Sequence, residues 1–226
     1  AFAVSQDTAL PLSTRVKQAI EIIDVAIKTP LSKNDFFAWF TRGVIYKEWY
    51  KAFESKNQKS KTRLDAVEFF KKSIALDTSN GKTITISQNV MENGQMMVNT
   101  WNYNIRVSKQ SLKYLATTFY NDAGELLKVA DPDNISVAVQ NYEKFKECIL
   151  IAEPQYNLRP REIEFKTVLA DEYVEIFKKD IKVNVMYYDK AQESYKQVLA
   201  LDSNNWNCNY NLAMLYYNFG VDLISG

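Results

Sequence analysis

The sequence contains no histidine among its 226 residues. Histidine is the commonest general acid or base near neutral pH and the commonest metal ligand, so its absence removes much of enzyme chemistry and most zinc sites. The two cysteines, Cys148 and Cys208, are sixty residues apart, which is too far for a CxxC pair. Cys148 falls on the apolar side of a predicted helix, so we expect a buried thiol. A disulfide between the two is compatible with the sequence, but the fold would not depend on it.

Net charge is also lacking: Lys and Arg number 28 and Asp and Glu 27, a balance of +1. Nucleic-acid binding needs a basic field that this balance does not build, so we expect no nucleic-acid partner. No apolar run approaches the roughly twenty residues of a membrane span, so no transmembrane segment is predicted. The strongest basic stretch comprises Lys47, Lys51, Lys56, Lys59, Lys61 and Arg63. It predicts a solvated helix end and turn, rather than a phosphate or lipid site.

Acidic residues cluster at Glu162 and Glu164 and again at Asp171 and Glu172. Paired acids on a helix usually form a solvated face, and neither a nucleophile, a base nor a phosphate loop accompanies them. The sequence therefore predicts a protein that is not an enzyme, with no catalytic residues, no metal site and no cofactor.

A fifteen-residue phrase occurs twice, as Ala66–Asn80 and as Ala191–Asn205. In both copies a small Ala stands four residues before a large aromatic residue, apolar residues follow at helical spacing, and Leu-Asp ends the pattern among small polar residues. Each copy predicts one amphipathic helix with its exit turn. Internal repetition of such units is typical of helical repeat proteins.

Helical periodicity continues along most of the chain. It predicts a helix over residues 13–28 that ends before Pro30, and a heavily aromatic helix capped by Asn34 or Asp35. Further helices are predicted from about Ile105, after a turn at residues 131–134, from Arg159 with Pro160 in the first turn, and after Asn205.

Residues 80–103 form an irregular excursion from this pattern. Residues 83–86 look like a strand, while residues 90–91 and 96–98 suggest a short helix interrupted at Gly94. Two alternatives stay open here: an excursion or extra helix, and a long N-terminal extension of the next helix.

These residues resemble the tetratricopeptide repeat, whose pattern is W-x2-L-G-x2-Y in one helix and A-x3-F followed by P in the next. The first repeat is matched by Trp39, Gly43, Tyr46, Ala66, Phe70, Leu76 and Asp77, with Arg42 in place of Leu and Thr78 in place of Pro. The last copies are matched by Ala191, Tyr195, Leu201, Asp202, Leu212, Ala213, Tyr216 and Gly220. Two middle pairs fit more loosely. The resemblance implies an all-α fold, a right-handed α-solenoid of antiparallel helix pairs, across most of residues 13–226.

The spacing departs from the family pattern in a regular way. The family places the closing Tyr of the first helix about nine residues before the small Ala of the second. Here the separations are 20 residues from Tyr46 to Ala66, 19 from Phe119 to Ala138 and 18 from Tyr173 to Ala191. About five extra residues in each helix add about 7 Å at 1.5 Å per residue, so we expect lengthened hairpins.

Two expectations concern the ends of the chain. Ala1, Phe2 and Ala3 form the small-x-small pattern that precedes a signal-peptidase site, which favours an exported, periplasmic or envelope protein over the cytoplasmic alternative. We accordingly expect residues 1–12 to be disordered or close to a signal peptide, and residues 13–226 to form a single repeat domain. The hairpin spacing puts the partner of the last helix beyond residue 226, so that helix either caps the stack or the chain continues; we expect continuation.

The resemblance implies a non-catalytic scaffold that binds a protein or peptide segment in a concave groove. Groove-facing candidates are Phe40, Val44, Lys47, Lys113, Thr117, Tyr120, Thr167, Asp171, Val174, Asn207, Tyr210, Asn211, Met214 and Tyr217. Tyr, Met and Asn on the last helix combine apolar contact with hydrogen bonding, which suits an extended peptide. For Tyr210 and Tyr217, packing against a further repeat is an equal alternative.

Family members that bind the C-terminal carboxylate of a partner hold it with Lys, Asn and Arg side chains. The residues near those positions here are Phe40, Val44, Asn207 and Asn211. We therefore do not expect binding of a C-terminal carboxylate. The alternative function is a carbohydrate or small polar ligand site at residues 204–207, where Trp206 lies among asparagines. Asparagines at the start of a helix are also ordinary caps. The sequence names no partner and no oligomeric state.

Overall fold

The computed structural model describes residues 11–92 and 95–225, with side chains except at 88–92, 95, 99, 101 and 220–225. The prediction of a mostly helical chain is confirmed. The helices of the described part are α1 (Leu12–Ala26), α2 (Pro30–Lys33), α3 (Phe36–Trp49), α4 (Lys61–Leu76), α5 (Ile105–Leu126), α6 (Pro132–Ala152), α7 (Arg159–Lys179), α8 (Val185–Leu201) and α9 (Trp206–Ser225). The predicted segment 1–12 lies largely outside the described residues.

Side-chain caps fix several helix starts. The Asp35 carboxylate accepts a hydrogen bond from the Phe37 amide at 3.0 Å and begins α3, as one of the two predicted caps. Ser60 accepts from the Arg63 amide at 3.1 Å and begins α4. Asn205 accepts from the Cys208 amide at 3.0 Å and begins α9. These bonds satisfy amides that the first turn of a helix leaves without intrahelical partners.

Residues 80–103 form neither an extra helix nor an N-terminal extension of α5, so those two expectations are wrong, whereas an excursion from the helical pattern is present. The excursion is an antiparallel hairpin of β1 (Ile84–Glu92) and β2 (Gln95–Tyr103), paired from Ile84 with Tyr103 to Glu92 with Gln95. In the sequence, the methionines and the side-chain amides of this segment recur at intervals that also fit a helix. This spacing competes with the strand signal of the β-branched residues. The residues between the strands are Asn-Gly, the dipeptide most typical of two-residue hairpin loops.

The chain divides into two compact units. The first comprises Ala1–Thr118 and Glu147–Pro154, and the second comprises Phe119–Lys146 and Gln155–Gly226. Helices α5 and α6 therefore contribute residues to both.

The core of the first unit contains apolar faces of α1, α3 and α4. Ala66 and Phe70, the small and large residues of the first repeat phrase, are completely buried on α4. The buried ring of Tyr103, at the end of β2, lies 5.0 Å from the Phe40 ring and 4.9 Å from the Phe36 ring, measured between centroids. The hairpin is thus joined to the helical core at its base.

The predicted solvated turn holds for most of the lysine-rich stretch but not for Arg63. Lys51, Lys56 and Lys59 are exposed, whereas Arg63 is only 1% exposed. Arg63 lies three residues before Ala66 and seven before Phe70, so the helical period places it on the buried face of α4. Its guanidinium donates to the Gln58 carbonyl at 3.0 Å and to the Tyr50 hydroxyl at 3.2 Å.

A carboxylate closes the turn between α3 and α4. After α3 the chain makes a π-helical turn, Tyr50–Glu54. The Glu54 carboxylate accepts from Trp49 Nε1 at 2.8 Å, Ser60 Oγ at 2.7 Å and Thr62 Oγ1 at 2.9 Å. Burial raises the pKa of this carboxyl, but the three hydrogen bonds outweigh burial, so the pKa lies below its ordinary value.

The core of the second unit reproduces the packing of the repeat phrase. Ala191 and Tyr195 on α8 are buried like Ala66 and Phe70 on α4, and they pack with Ala170 of α7. Cys208 of α9 joins this cluster. Both cysteines are free thiols and buried, which confirms the prediction for Cys148.

Candidate functional site

The second unit contains a cavity of about 240 Å³ between helices α7 and α9, with one residue of α8 in its wall. We call it the α7/α9 pocket. Its lining residues are Asp171, Val174, Glu175 and Lys178 from α7, Tyr195 from α8, and Asn211, Met214, Leu215, Asn218 and Phe219 from α9. The residues of α7 and of α9 each recur at intervals of three or four, so one face of each helix borders the cavity.

Asp171 is the polar centre of the pocket. Its Oδ1 atom accepts two hydrogen bonds, from the Tyr195 hydroxyl at 2.5 Å and from Asn211 Nδ2 at 3.0 Å. Burial, and next the hydrogen bond to this carboxylate, raise the pKa of Tyr195, so the phenol stays protonated and remains a donor. Three helices therefore converge on one carboxylate oxygen and fix its orientation.

Within the described part of the chain, one carboxylate of the pocket lies in an ion pair and the other does not. Lys178 Nζ lies 2.7 Å from Glu175 Oε1, one turn earlier on the same helix. Asp171 has no lysine or arginine at ion-pair distance among the described residues. Two carboxylates and one ammonium leave a lining charge of −1. Burial, followed by the charges of Glu175 and Asp171, raises the pKa of neighbouring Glu172, which agrees with a locally negative potential.

The remaining wall is apolar. Val174 and Met214 are half-buried, Leu215 is buried, and the Phe219 ring packs edge-on against Phe177 with a centroid separation of 5.2 Å. The pocket thus combines an apolar surface with one fixed carboxylate and the amides of Asn211 and Asn218.

The structure brings together four of the fourteen predicted site residues, Asp171, Val174, Asn211 and Met214. Thr167 lies one turn before Asp171, where its hydroxyl donates to the Ile163 carbonyl at 2.8 Å. The other three predicted residues of α9 do not line the pocket and are exposed on the same helix: Asn207, Tyr210 and Tyr217.

Five predicted residues belong to the first unit: Phe40, Val44, Lys47, Lys113 and Thr117. Phe40 is covered by Tyr103, so much of its ring is occupied within the fold. The two lysines lie in ion pairs, Lys47 with Glu48 at 3.3 Å and Lys113 with Glu153 at 2.5 Å.

Tyr120 belongs to the second unit, away from the pocket lining. Its hydroxyl donates to Glu164 at 2.7 Å, and the Arg161 guanidinium lies 4.8 Å from its ring centroid. Burial and the bond to Glu164 raise the pKa of Tyr120 to about 12. Its polar end is thus engaged within the fold.

Sequence reasoning missed six lining residues, listed as Glu175, Lys178, Tyr195, Leu215, Asn218 and Phe219. Most lie four, seven or eight positions after Asp171 or Asn211, so extending the predicted faces by one or two helical turns finds them. Tyr195 is the aromatic residue of the second repeat phrase, which by itself does not indicate a role for its hydroxyl. Its ring is in the core, but its hydroxyl reaches Asp171.

Within the described residues, no cluster of three or more Cys, Asp or Glu side chains is arranged to hold a metal ion. None of the described helices combines the length and the hydrophobicity that crossing a bilayer requires.

Comparison of the chain with protein-family models, with curated proteins and with solved structures finds no match. The chemistry of the α7/α9 pocket is therefore the basis for assigning a function.

Proposed function

We propose that this chain is a non-catalytic scaffold of tetratricopeptide-like helix pairs, stacked as a right-handed α-solenoid, which holds an extended segment of a protein partner at the α7/α9 pocket. The observation that supports it is the pocket itself, a cavity between two helices that the repeat pattern assigns as first helices of successive pairs. In such repeats the first helices line the binding groove.

The size of the pocket favours one side chain of a longer segment. Pockets for complete small-molecule ligands usually measure about 300–1,000 Å³. The α7/α9 pocket, at about 240 Å³, is smaller. A peptide that inserts one anchor here can gain further contact from exposed residues of α9, among them Tyr210 and Tyr217.

The lining also favours binding over catalysis. Among the described lining residues there is no Ser, Thr or Cys beside a base, which is the arrangement that an activated nucleophile requires. The Tyr195 hydroxyl and the Asp171 carboxylate are joined to each other in the wall, and they serve to shape the cavity.

The test is selection of peptides from a random phage-displayed library, followed by affinity measurement with a pocket-blocking variant. Met214→Trp places a larger side chain in the cavity, whereas Met186→Trp makes the same substitution at a 54% exposed position of α8 outside the lining. We expect Met214→Trp to raise the Kd of selected peptides at least about tenfold and Met186→Trp to change it less than about twofold. Equal affinities for both variants would place the binding surface elsewhere.

A carbohydrate or small polar ligand site at residues 204–207 is the second candidate. It is supported by the ring pair of Trp206 and Tyr210, stacked at 5.4 Å with an interplanar angle of 11°, in which Trp206 is 74% exposed. Exposed aromatic faces suit the apolar faces of sugars. Against it, the Asn205 side chain is engaged as the cap of α9. The test is a glycan array probed with the wild type and with Trp206→Ala. This candidate requires that the wild type binds glycans on the array and that the substitution abolishes this binding.

A further inference from the structure

The carboxylate of Asp171 has one engaged and one open oxygen. Both neutral donors, Tyr195 and Asn211, bind Oδ1. Oδ2 has no protein hydrogen-bond partner among the described residues, and no cation of the described chain pairs with the group. Each carboxylate oxygen accepts about two hydrogen bonds, so Oδ2 keeps its full capacity in a fixed position.

The other charges of the pocket cannot satisfy this oxygen. Lys178 is paired with Glu175 on the same helix at 2.7 Å. An incoming anion would meet two carboxylates, Asp171 and Glu175, whereas an incoming cation would bring the lining charge of −1 to zero. Charge complementarity therefore selects a cationic group.

The apolar wall of the pocket favours a bound side chain whose cationic end is carried on an apolar stem. Lysine and arginine carry a charged end on an aliphatic stem, and the stem is commonly buried on apolar surface. Val174, Met214 and Phe219 provide such surface beside Asp171, and the side-chain carbonyls of Asn211 and Asn218 can accept further N–H groups. An acidic peptide would be repelled by the two carboxylates, and a carbohydrate, which is neutral, would leave the lining charge of −1 unpaired.

We propose that the α7/α9 pocket takes the side chain of a lysine or arginine in the partner segment, with its cationic end on Oδ2 of Asp171 and its stem against Met214. This inference rests on the proposed function, since it assigns the anchor residue of the peptide bound there. It makes the partner a protein with a basic residue within its docking segment.

The test uses capped amino acids as probes in ¹H–¹⁵N NMR titrations of the full chain. N-acetyl-arginine amide is compared with N-acetyl-citrulline amide, which has the same shape without the charge, and with N-acetyl-norleucine amide. We expect saturable shifts in residues 171–178 and 211–219, with a Kd for the arginine probe at least about fivefold below that of the citrulline probe. Screening by salt should reduce the difference.

Two substitutions with equal change in net charge control the assignment. Asp171→Asn should abolish the preference for arginine over citrulline, while Asp189→Asn, at an exposed position of α8 outside the lining, should leave it intact. Retention of the preference in Asp171→Asn, equal binding of citrulline, or absence of saturable shifts at the pocket would each overturn the inference.

The library peptides separate this failure from failure of the proposed function. Some selected peptides can lose binding in Met214→Trp and yet tolerate replacement of every Lys and Arg by norleucine and citrulline. That result would support the pocket as the peptide-binding site and would contradict the basic anchor. Peptides unaffected by Met214→Trp would reject the pocket as the binding site and the anchor with it.

Discussion

Gly43 lies directly against the ring of Phe70. A Cβ atom built on Gly43 would stand 2.8 Å from Cε1 and 2.9 Å from Cδ1 of that ring, closer than carbon atoms approach without displacement. Phe70 is completely buried, so its ring has little room to move. The glycine of the first-helix pattern thus allows α3 and α4 to pack closely around the aromatic residue of the repeat phrase.

Gly43→Ala should therefore destabilise the protein. We expect the free energy of unfolding to fall by about 1–2 kcal/mol, because overpacking outweighs the gain of about 1 kcal/mol in helix propensity. Gly124→Ala is the matched control, since a Cβ at Gly124 in α5 meets nothing within 4 Å. That control should be neutral or more stable by up to about 1 kcal/mol. Urea unfolding followed by circular dichroism measures both, and equal effects would contradict the proposed contact.

Arg63→Met should be costly although it replaces a charge by an apolar side chain. It removes donors from the Gln58 carbonyl and the Tyr50 hydroxyl, and we expect a loss of about 2–4 kcal/mol in unfolding free energy. Arg106→Met, at an exposed position of α5, is expected to stay within about 0.5 kcal/mol of the wild type. Comparable urea midpoints for the two variants would show that Arg63 does not hold the turn.

Glu54 makes the stability of the first unit sensitive to acid. Because its folded-state pKa lies below the ordinary value of 4.5, the ionised group stabilises the fold above about pH 4.5, and this contribution is lost as the pH falls through the folded-state pKa. Glu54→Gln should be less stable than the wild type near neutral pH, and the difference should shrink on acidification. Urea titrations of both proteins between about pH 7 and about pH 3 test this. A difference that stays constant with pH would exclude the ionised form as the source.

The β-hairpin should be shortened without loss of the helical fold. Gln88 pairs with Asn99, so joining them through Asn-Gly removes the four outer pairs from Asn89–Val98 to Glu92–Gln95. Because the two types of antiparallel pair alternate, removing an even number of pairs keeps the hydrogen-bonding register around the two-residue turn. We expect the unfolding free energy to change by less than about 1 kcal/mol, because an isolated two-stranded hairpin is marginal in water and contributes little on its own.

Tyr103→Ala provides the contrast at the base of the hairpin. It deletes a buried ring that contacts Phe36 and Phe40, and we expect a cost of about 3–5 kcal/mol. Thermal unfolding by circular dichroism distinguishes the two variants. A larger loss from the shortened hairpin than from Tyr103→Ala would show that the outer strands support the helical core.

The helices were predictable from the sequence because their signals are local. The apolar period identifies α1 and α4, Asp35 and Pro160 mark helix starts, and the repeated Ala and aromatic pair identifies the buried positions of α4 and α8. The hairpin was predictable in principle from its Asn-Gly dipeptide, but a short strand signal beside methionines and amides is also compatible with a helix.

The candidate site was predictable only in part. Asp171 and Asn211 were identified from the groove register, but the contact between them joins residues forty positions apart and depends on how α7 and α9 pack. Tyr195 carries the same core signal as Phe70, and nothing in its local sequence indicates that its hydroxyl ends on a carboxylate. Arg63 was likewise assigned to a solvated stretch, because charge suggested exposure while its helical position required burial.

The sequence by itself determined the helical class, the position of most helices and the burial of the repeat residues, since these follow from periodicities and caps that act within a few residues. Tertiary structure alone decided which polar groups meet: Glu54 with three donors, Arg63 with Tyr50, and Asp171 with Tyr195 and Asn211. The physical reason is that a hydrogen bond needs a donor–acceptor distance within a few tenths of an ångström of about 2.9 Å, and packing sets that distance for side chains that come from different elements.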